Sequence, residues 1–148
     1  MHVLLVEDDP HDIFLFDYAL NMLGQPIKLS VRQDGEQALA FLFNKQPAHH
    51  EEQPDIIVLD INLPRQNGFD VLTALERDPQ LKFIPVIVLT TSSYPNDINR
   101  CYELGANAYL EKPFGFEPLL ALVRSTVEFW SKCKFRTQAH PRPQPSSP

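Results

Sequence analysis

The sequence predicts an α/β protein built on one doubly wound, parallel, five-stranded sheet. Short apolar runs alternate five times with helix-period segments, and no segment repeats. The runs 3–6, 56–59 and 86–89 are apolar throughout instead of alternating with polar residues. Continuous, β-branched-rich runs suit strands covered on both faces, and β-α alternation gives parallel strands with helices on either side.

The strands are expected at 2–6, 27–32, 55–59, 84–89 and 107–110. Asp9-Pro10 reads as the N-cap and first position of a helix that Gly24 ends, with Ile13, Phe16, Leu20 and Leu23 as its inward stripe. A second helix follows Asp34-Gly35 and runs to about 44. The third spans 68–77 and is stopped by Asp78-Pro79. The fourth starts near Pro95 and ends at Leu104-Gly105, and the fifth opens at Glu117-Pro118 and continues to about 132. Between the second helix and third strand, 46–54 is a polar loop with His49-His50-Glu51-Glu52, more ordinary as a loop than as a metal site.

At 148 residues, 43% apolar and 22% charged, the chain suits one soluble domain, expected over 1–133. Residues 134–148, with four prolines and two serines, hold too little apolar surface to fold and are expected to be a disordered tail. Residues 1–123 carry eight Lys/Arg against eighteen Asp/Glu, and 124–148 carry five against one. An acidic body argues against direct nucleic-acid binding, since neutralising phosphates needs a basic face. No apolar stretch approaches a membrane span and no signal peptide is evident, so a cytoplasmic protein is expected. Cys101 and Cys133 lack metal or disulfide-framework spacing and read as reduced thiols.

Chemistry concentrates where strands stop. The first strand ends in Glu7-Asp8-Asp9, the third in Asp60, the fourth in Thr90-Thr91-Ser92, and the fifth is followed by Glu111-Lys112-Pro113. Functional residues of such sheets gather at the carboxyl ends of the strands. Carboxylates crowded there repel unless a cation joins them, and hard oxygen donors suit Mg²⁺. Acids, a hydroxyl and a lysine around a central Asp fit phosphoryl transfer to a carboxylate nucleophile, Asp60. Singly, each has an ordinary reading: Asp9 as a helix cap, Lys112 as a solvated charge, Tyr109 as a half-buried strand residue, Thr90–Ser92 as loop chemistry. Their joint occurrence at one sheet edge does not.

The ordered set Glu7-Asp8, Asp60, Thr90 and Lys112-Pro113 resembles the site of response regulator receiver domains from two-component signalling, over residues 2 to about 130. The resemblance implies a flavodoxin-like (β/α)5 fold with strand order 2-1-3-4-5. It makes Asp60 the phosphoacceptor and assigns a bound Mg²⁺ (or Mn²⁺) to Asp8, Asp60, the backbone carbonyl of Asn62 and, through water, Glu7. Thr90 and Lys112 would bind the phosphoryl group, Thr90 and Tyr109 would form the switch, and the Lys112–Pro113 bond would be cis. The implied partner is a histidine kinase, and the protein is then a phosphoacceptor switch that assists its own chemistry without being an enzyme proper. Asn62-Leu63-Pro64, Asn67-Gly68 and the long loop before the third strand further resemble single-domain regulators paired with bacterial phytochromes.

Two stripes on the last helix, Leu120/Val123/Val127/Trp130 and Leu119/Leu122/Thr126/Phe129, exceed what one buried face requires. The first is the expected face of a homodimer, against which stands packing of Trp130 and Phe129 under the tail. The rival functions are an aspartyl-phosphate phosphohydrolase, a flavodoxin-like electron carrier and a pseudo-receiver scaffold that does not use phosphate. The first lacks its Asp-x-Asp after strand one, and the second lacks a Ser/Thr/Gly-rich phosphate cradle at Glu7–Pro10. The intact acidic, hydroxyl and lysine set speaks against the third.

Overall fold

The three continuous apolar runs form the middle of the sheet, where both faces are covered. A computed structural model describes residues 1–44 and 53–136. In chain order the elements are β1 (His2–Val6), α1 (Pro10–Met22), β2 (Lys28–Arg32), α2 (Gly35–Leu42), β3 (Ile56–Leu59), α3 (Gly68–Arg77), β4 (Val86–Thr90), α4 (Pro95–Glu103), β5 (Ala108–Glu111) and α5 (Phe116–Ser131). A 3-10 turn at Leu81–Phe83 leads into β4. The strands pair in the order β2-β1-β3-β4-β5, all parallel, as expected for a flavodoxin-like sheet. β1, β3 and β4 are buried along their whole length.

Because side chains alternate across a strand, the sheet divides its apolar residues between two cores. Leu4, Val6, Ile57, Leu59 and Val88 point to a layer shared with Val71, Leu72 and Leu75 of α3. Val3, Leu5, Ile56, Val58 and Ile87 point to the layer of α1 and α5. On α1 the buried stripe is Leu15, Phe16, Ala19 and Leu20, with the expected Ile13 and Leu23 at its margin.

Helix starts follow the chemistry of their caps. Asp9, extended at φ −77° and ψ 116°, accepts from the His11 amide at 2.8 Å, with Pro10 at the first helical position. Asn67 and Asp70 form a reciprocal capping box at α3. Gly24, beyond the end of α1, has φ +63°.

Three expectations need correction. First, Leu120, Val123 and Val127 do not form an outer dimer face: they are 7%, 2% and 0% exposed and lie in the core beneath α1 and the sheet. Trp130 lies at the edge of that core, stacked on Phe135 at 6.5 Å between ring centres. Helical periodicity reports an apolar stripe but not what covers it. Second, ordered chain continues past 133, since Phe135 supplies that stacking surface and the Arg136 guanidinium sits 3.7 Å from the Phe83 ring centre. Third, the Lys112–Pro113 bond is trans, as every peptide bond among the described residues is. The lysine reaches its partners from that backbone, and trans is the lower-energy form of a prolyl bond where no contact selects the other. The His49-His50-Glu51-Glu52 segment and residues 137–148 lie outside the described residues. No helix among the described residues is long and apolar enough to cross a membrane.

The β3–α3 loop is where the fold touches the site most directly. Arg65 and Gln66 both have positive φ, 46° and 60°, a strained conformation for side-chain-bearing residues. The first turn of α2 holds them: the Glu36 amide donates to the Arg65 carbonyl at 3.2 Å, and a Cβ on Gly35 would collide with the Gln66 carbonyl. At the other end of the loop the Gly68 amide donates to the Ile61 carbonyl at 3.1 Å. A Cβ on Gly68 would lie 2.5 Å from the Ile61 Cα and 2.7 Å from the Asp60 carbonyl oxygen, backbone that has no room to yield. Gly68→Ala is therefore expected to destabilise the protein by about 1–3 kcal/mol, the cost of forced overpacking. Urea denaturation checks this, and an unchanged midpoint would show that the loop yields freely.

Candidate functional site

Each site residue stands at or just past a strand end, where the ladder continues for one more bond. The Glu7 amide donates to the Arg32 carbonyl at 3.0 Å, the Asp60 amide to the Val6 carbonyl at 3.0 Å, and the Lys112 amide to the Thr90 carbonyl at 2.7 Å. These bonds tie the end of β1 to those of β2 and β3 and the end of β5 to that of β4, and the site side chains converge at one edge.

Asp60 is the centre, 6% exposed. Its Oδ1 accepts from the Thr90 hydroxyl at 2.8 Å and the Asn62 amide at 2.9 Å, and its Oδ2 accepts from Lys112 Nζ at 2.9 Å. Thr90 is fully buried, and the Asn62 side-chain amide lies 3.4 Å from its hydroxyl. Glu7 is 3% exposed; its Oε1 accepts from the Asp8 and Asp9 amides, both at 3.1 Å, and its Oε2 from Lys112 Nζ at 2.6 Å. Asp8 stands exposed beside them.

Ligand oxygens of Glu7, Asp8 and Asp60 lie within 4.8 Å of one another. An all-oxygen, carboxylate-rich set of this kind fits a hard divalent cation such as Mg²⁺ or Mn²⁺. Asp9 caps α1 instead, as its ordinary reading holds.

Lys112 has a partner that strand-end reasoning missed. Its Nζ also donates to Asp12 Oδ2 at 2.8 Å, from the first turn of α1. The signal available in the sequence was an acid one turn after Asp8, but an acid there also reads as a partner for the helix dipole.

The electrostatics follow from this crowding. Burial opposes the Lys112 charge, but its bond to Asp12 and the charges of Asp60 and Glu7 outweigh that, holding the ammonium well above the ordinary lysine range. Burial pushes Glu7 from 4.5 up to about 7; the Asp60 charge adds to this, and the Lys112 bond reverses only part of it.

On the same edge, Tyr109 stands opposite Val88, two residues before Thr90 and so on the same face. Its hydroxyl donates to the Ser92 carbonyl at 2.8 Å, and its amide donates to the Tyr102 hydroxyl at 3.1 Å. The Ser92 hydroxyl donates to Asp97 at 2.6 Å, tying the β4–α4 loop to the first turn of α4. Burial raises the Tyr109 phenol above its ordinary value, partly offset by the bond to Ser92.

The family profile of the response regulator receiver domain matches residues 3–124. Response regulator Rcp1 of Synechocystis is 38% identical over 128 residues, covering 86% of this chain and 87% of that protein. The phosphorylated cyanobacterial phytochrome response regulator RcpA superposes with a TM-score of 0.86 at 36% identity, covering 92% of this chain and 98% of that one. The Mn²⁺-bound form of Rcp1 gives 0.84 at 36% identity, covering 92% and 99%.

The raised Glu7 carboxyl makes a signed prediction. Without a cation, the folded chain keeps a proton on Glu7 up to about pH 7, whereas the unfolded chain loses it near 4.5. The folded state then binds more protons in that window, so this group's contribution to stability falls as pH rises from about 4.5 to 7. The loss is at most about 3 kcal/mol. Denaturation of wild type and Glu7→Gln in chelator across this window isolates it: the mutant is expected to lack the decline, and parallel curves would refute the assignment.

Proposed function

This chain belongs to the response regulator receiver family, and on that ground we propose that it is a phosphorylation switch with Asp60 as the phosphoacceptor. One observation carries the reading. The Asp60 carboxylate is gripped on one oxygen by Thr90 and on the other by Lys112, with Glu7 and Asp8 alongside. A nucleophile held this way enters the reaction already oriented, which removes much of the entropic part of the barrier.

The donor is a phosphohistidine on a histidine kinase, and the likeness to phytochrome response regulators points to a phytochrome as that kinase. An Asp60 oxygen attacks phosphorus as the phosphorus–nitrogen bond breaks, and the departing imidazole nitrogen keeps the electron pair and takes a proton from solvent water. Asp8, Asp60 and the Asn62 carbonyl would hold Mg²⁺, with Glu7 acting through water, and the bound ion would supply charge neutralisation for the phosphoryl oxygens. Lys112 and Thr90 already donate to the Asp60 oxygens, and each passes its bond to a phosphoryl oxygen as the carboxylate becomes an acyl phosphate.

The readout begins at Thr90. Its hydroxyl leaves Asp60 Oδ1 for the phosphoryl group, drawing the start of the β4–α4 loop inward. The Ser92 carbonyl lies in that loop and accepts from Tyr109, so the ring and the α4–β5 surface follow. The reaction at Asp60 is the signal, carried onward by protein contacts.

Incubation with Mg²⁺ and acetyl phosphate, followed by intact-mass measurement, tests this reading. Wild type is expected to gain one phosphoryl group, Asp60→Asn none, and Lys112→Ala to react about a hundredfold more slowly, as for loss of one charge-stabilising donor. Modification that survives Asp60→Asn, or no modification of wild type, would overturn it.

A further inference from the structure

Asp12 lies outside the acidic set that surrounds the cation-binding oxygens, yet it takes one of the three N–H donors of Lys112. The other two go to Glu7 at 2.6 Å and Asp60 at 2.9 Å, so the ammonium has one partner from the end of β1, one from α1 and one from the end of β3. The Lys112 and Asp12 side chains are 6% and 24% exposed, which separates this pair from the solvated surface pairs that contribute little.

The three partners have different fates under the function proposed above, on which this inference rests. Once Asp60 carries a phosphoryl group it is an uncharged acyl oxygen and no longer anchors the lysine. Glu7 is itself fixed by two backbone amides. One fixed carboxylate, however, leaves a four-carbon side chain free to swing about that contact. A second carboxylate from a different element removes that freedom and leaves a single N–H to aim. We propose that Asp12 is a positioning residue: with Glu7 it clamps the Lys112 ammonium so that its remaining N–H points at Asp60 Oδ2 and then at the phosphoryl oxygen formed there.

The plainer role for Asp12 is that of a first-turn acid complementing the helix dipole, which would act on stability alone. The two roles separate in the ¹⁵N-lysine spectrum of the full chain without metal, where an ammonium with all donors engaged exchanges slowly enough to give a resonance. Lys112→Arg assigns it. Wild type is expected to show the resonance, Asp12→Ala to lose it to exchange, and Asp12→Asn, which keeps an acceptor oxygen of the same shape, to retain it in weakened form. With Mg²⁺ and acetyl phosphate, Asp12→Ala is expected to phosphorylate about tenfold more slowly and Asp12→Asn about threefold, the scale of one charge-assisted hydrogen bond. The Asn variant keeps the test open should the Ala variant not fold. A Lys112 resonance indifferent to Asp12, or unchanged rates in both variants, overturns the proposal. Wild type that takes no phosphate would refute the function of Asp60, while the resonance still decides whether Asp12 holds Lys112.

Discussion

The ammonium of Lys112 lies among the carboxylates of Glu7, Asp12 and Asp60, and the arrangement of the whole strand-end edge follows from what it costs to gather those acids. Four carboxylates, with Asp8, face one fixed positive charge from the protein. Burial above all, with the Asp60 charge adding to it, pushes the Glu7 carboxyl up to about 7 despite its contact with the lysine. A buried ionic cluster of this kind is weak evidence for stability, because desolvation offsets much of the attraction. It is better understood as a site kept short of positive charge, which a divalent cation would complete.

Holding such a site requires stiff surroundings. The apolar strands supply them from below, since β1, β3 and β4 are packed on both faces and cannot tilt without opening a core. The loops supply them from the side. Arg65 and Gln66 adopt positive-φ conformations against the first turn of α2, and Gly68 lets α3 start against the Asp60 carbonyl. The strained residues lie in the loop that follows Asp60 and Asn62.

On the proposed reading the same edge would also carry the signal outward. Thr90 and Tyr109 lie on one face of neighbouring strands, and Ser92 connects the Tyr109 hydroxyl to the loop that follows Thr90. On the proposed switch, a shift of the Thr90 hydroxyl would be taken up by that loop, since β4 beneath it is packed on both faces. The exposed end of the chain of contacts is the α4–β5 side, where Tyr102 accepts from the Tyr109 amide.

Local chemistry made much of this protein legible in one dimension. Continuous apolar runs can only be strands buried on both faces, caps such as Asp9-Pro10 and Asn67 mark helix starts, and polar residues directly after such runs must collect at one edge of a parallel sheet. Glu7, Asp8, Asp60, Thr90 and Lys112 are readable for that reason. The inward turn of Leu120, Val123 and Val127 is not, because it depends on what packs against the helix and not on the helix itself. Asp12 is the clearest case. Its spacing suits a helix terminus, and only the folded chain brings the first turn of α1 to Lys112, one hundred positions away in sequence. The order of residues determined which charges reach the sheet edge; the tertiary structure decided which of them touch, since Coulombic and hydrogen-bond partners are set by distance in space.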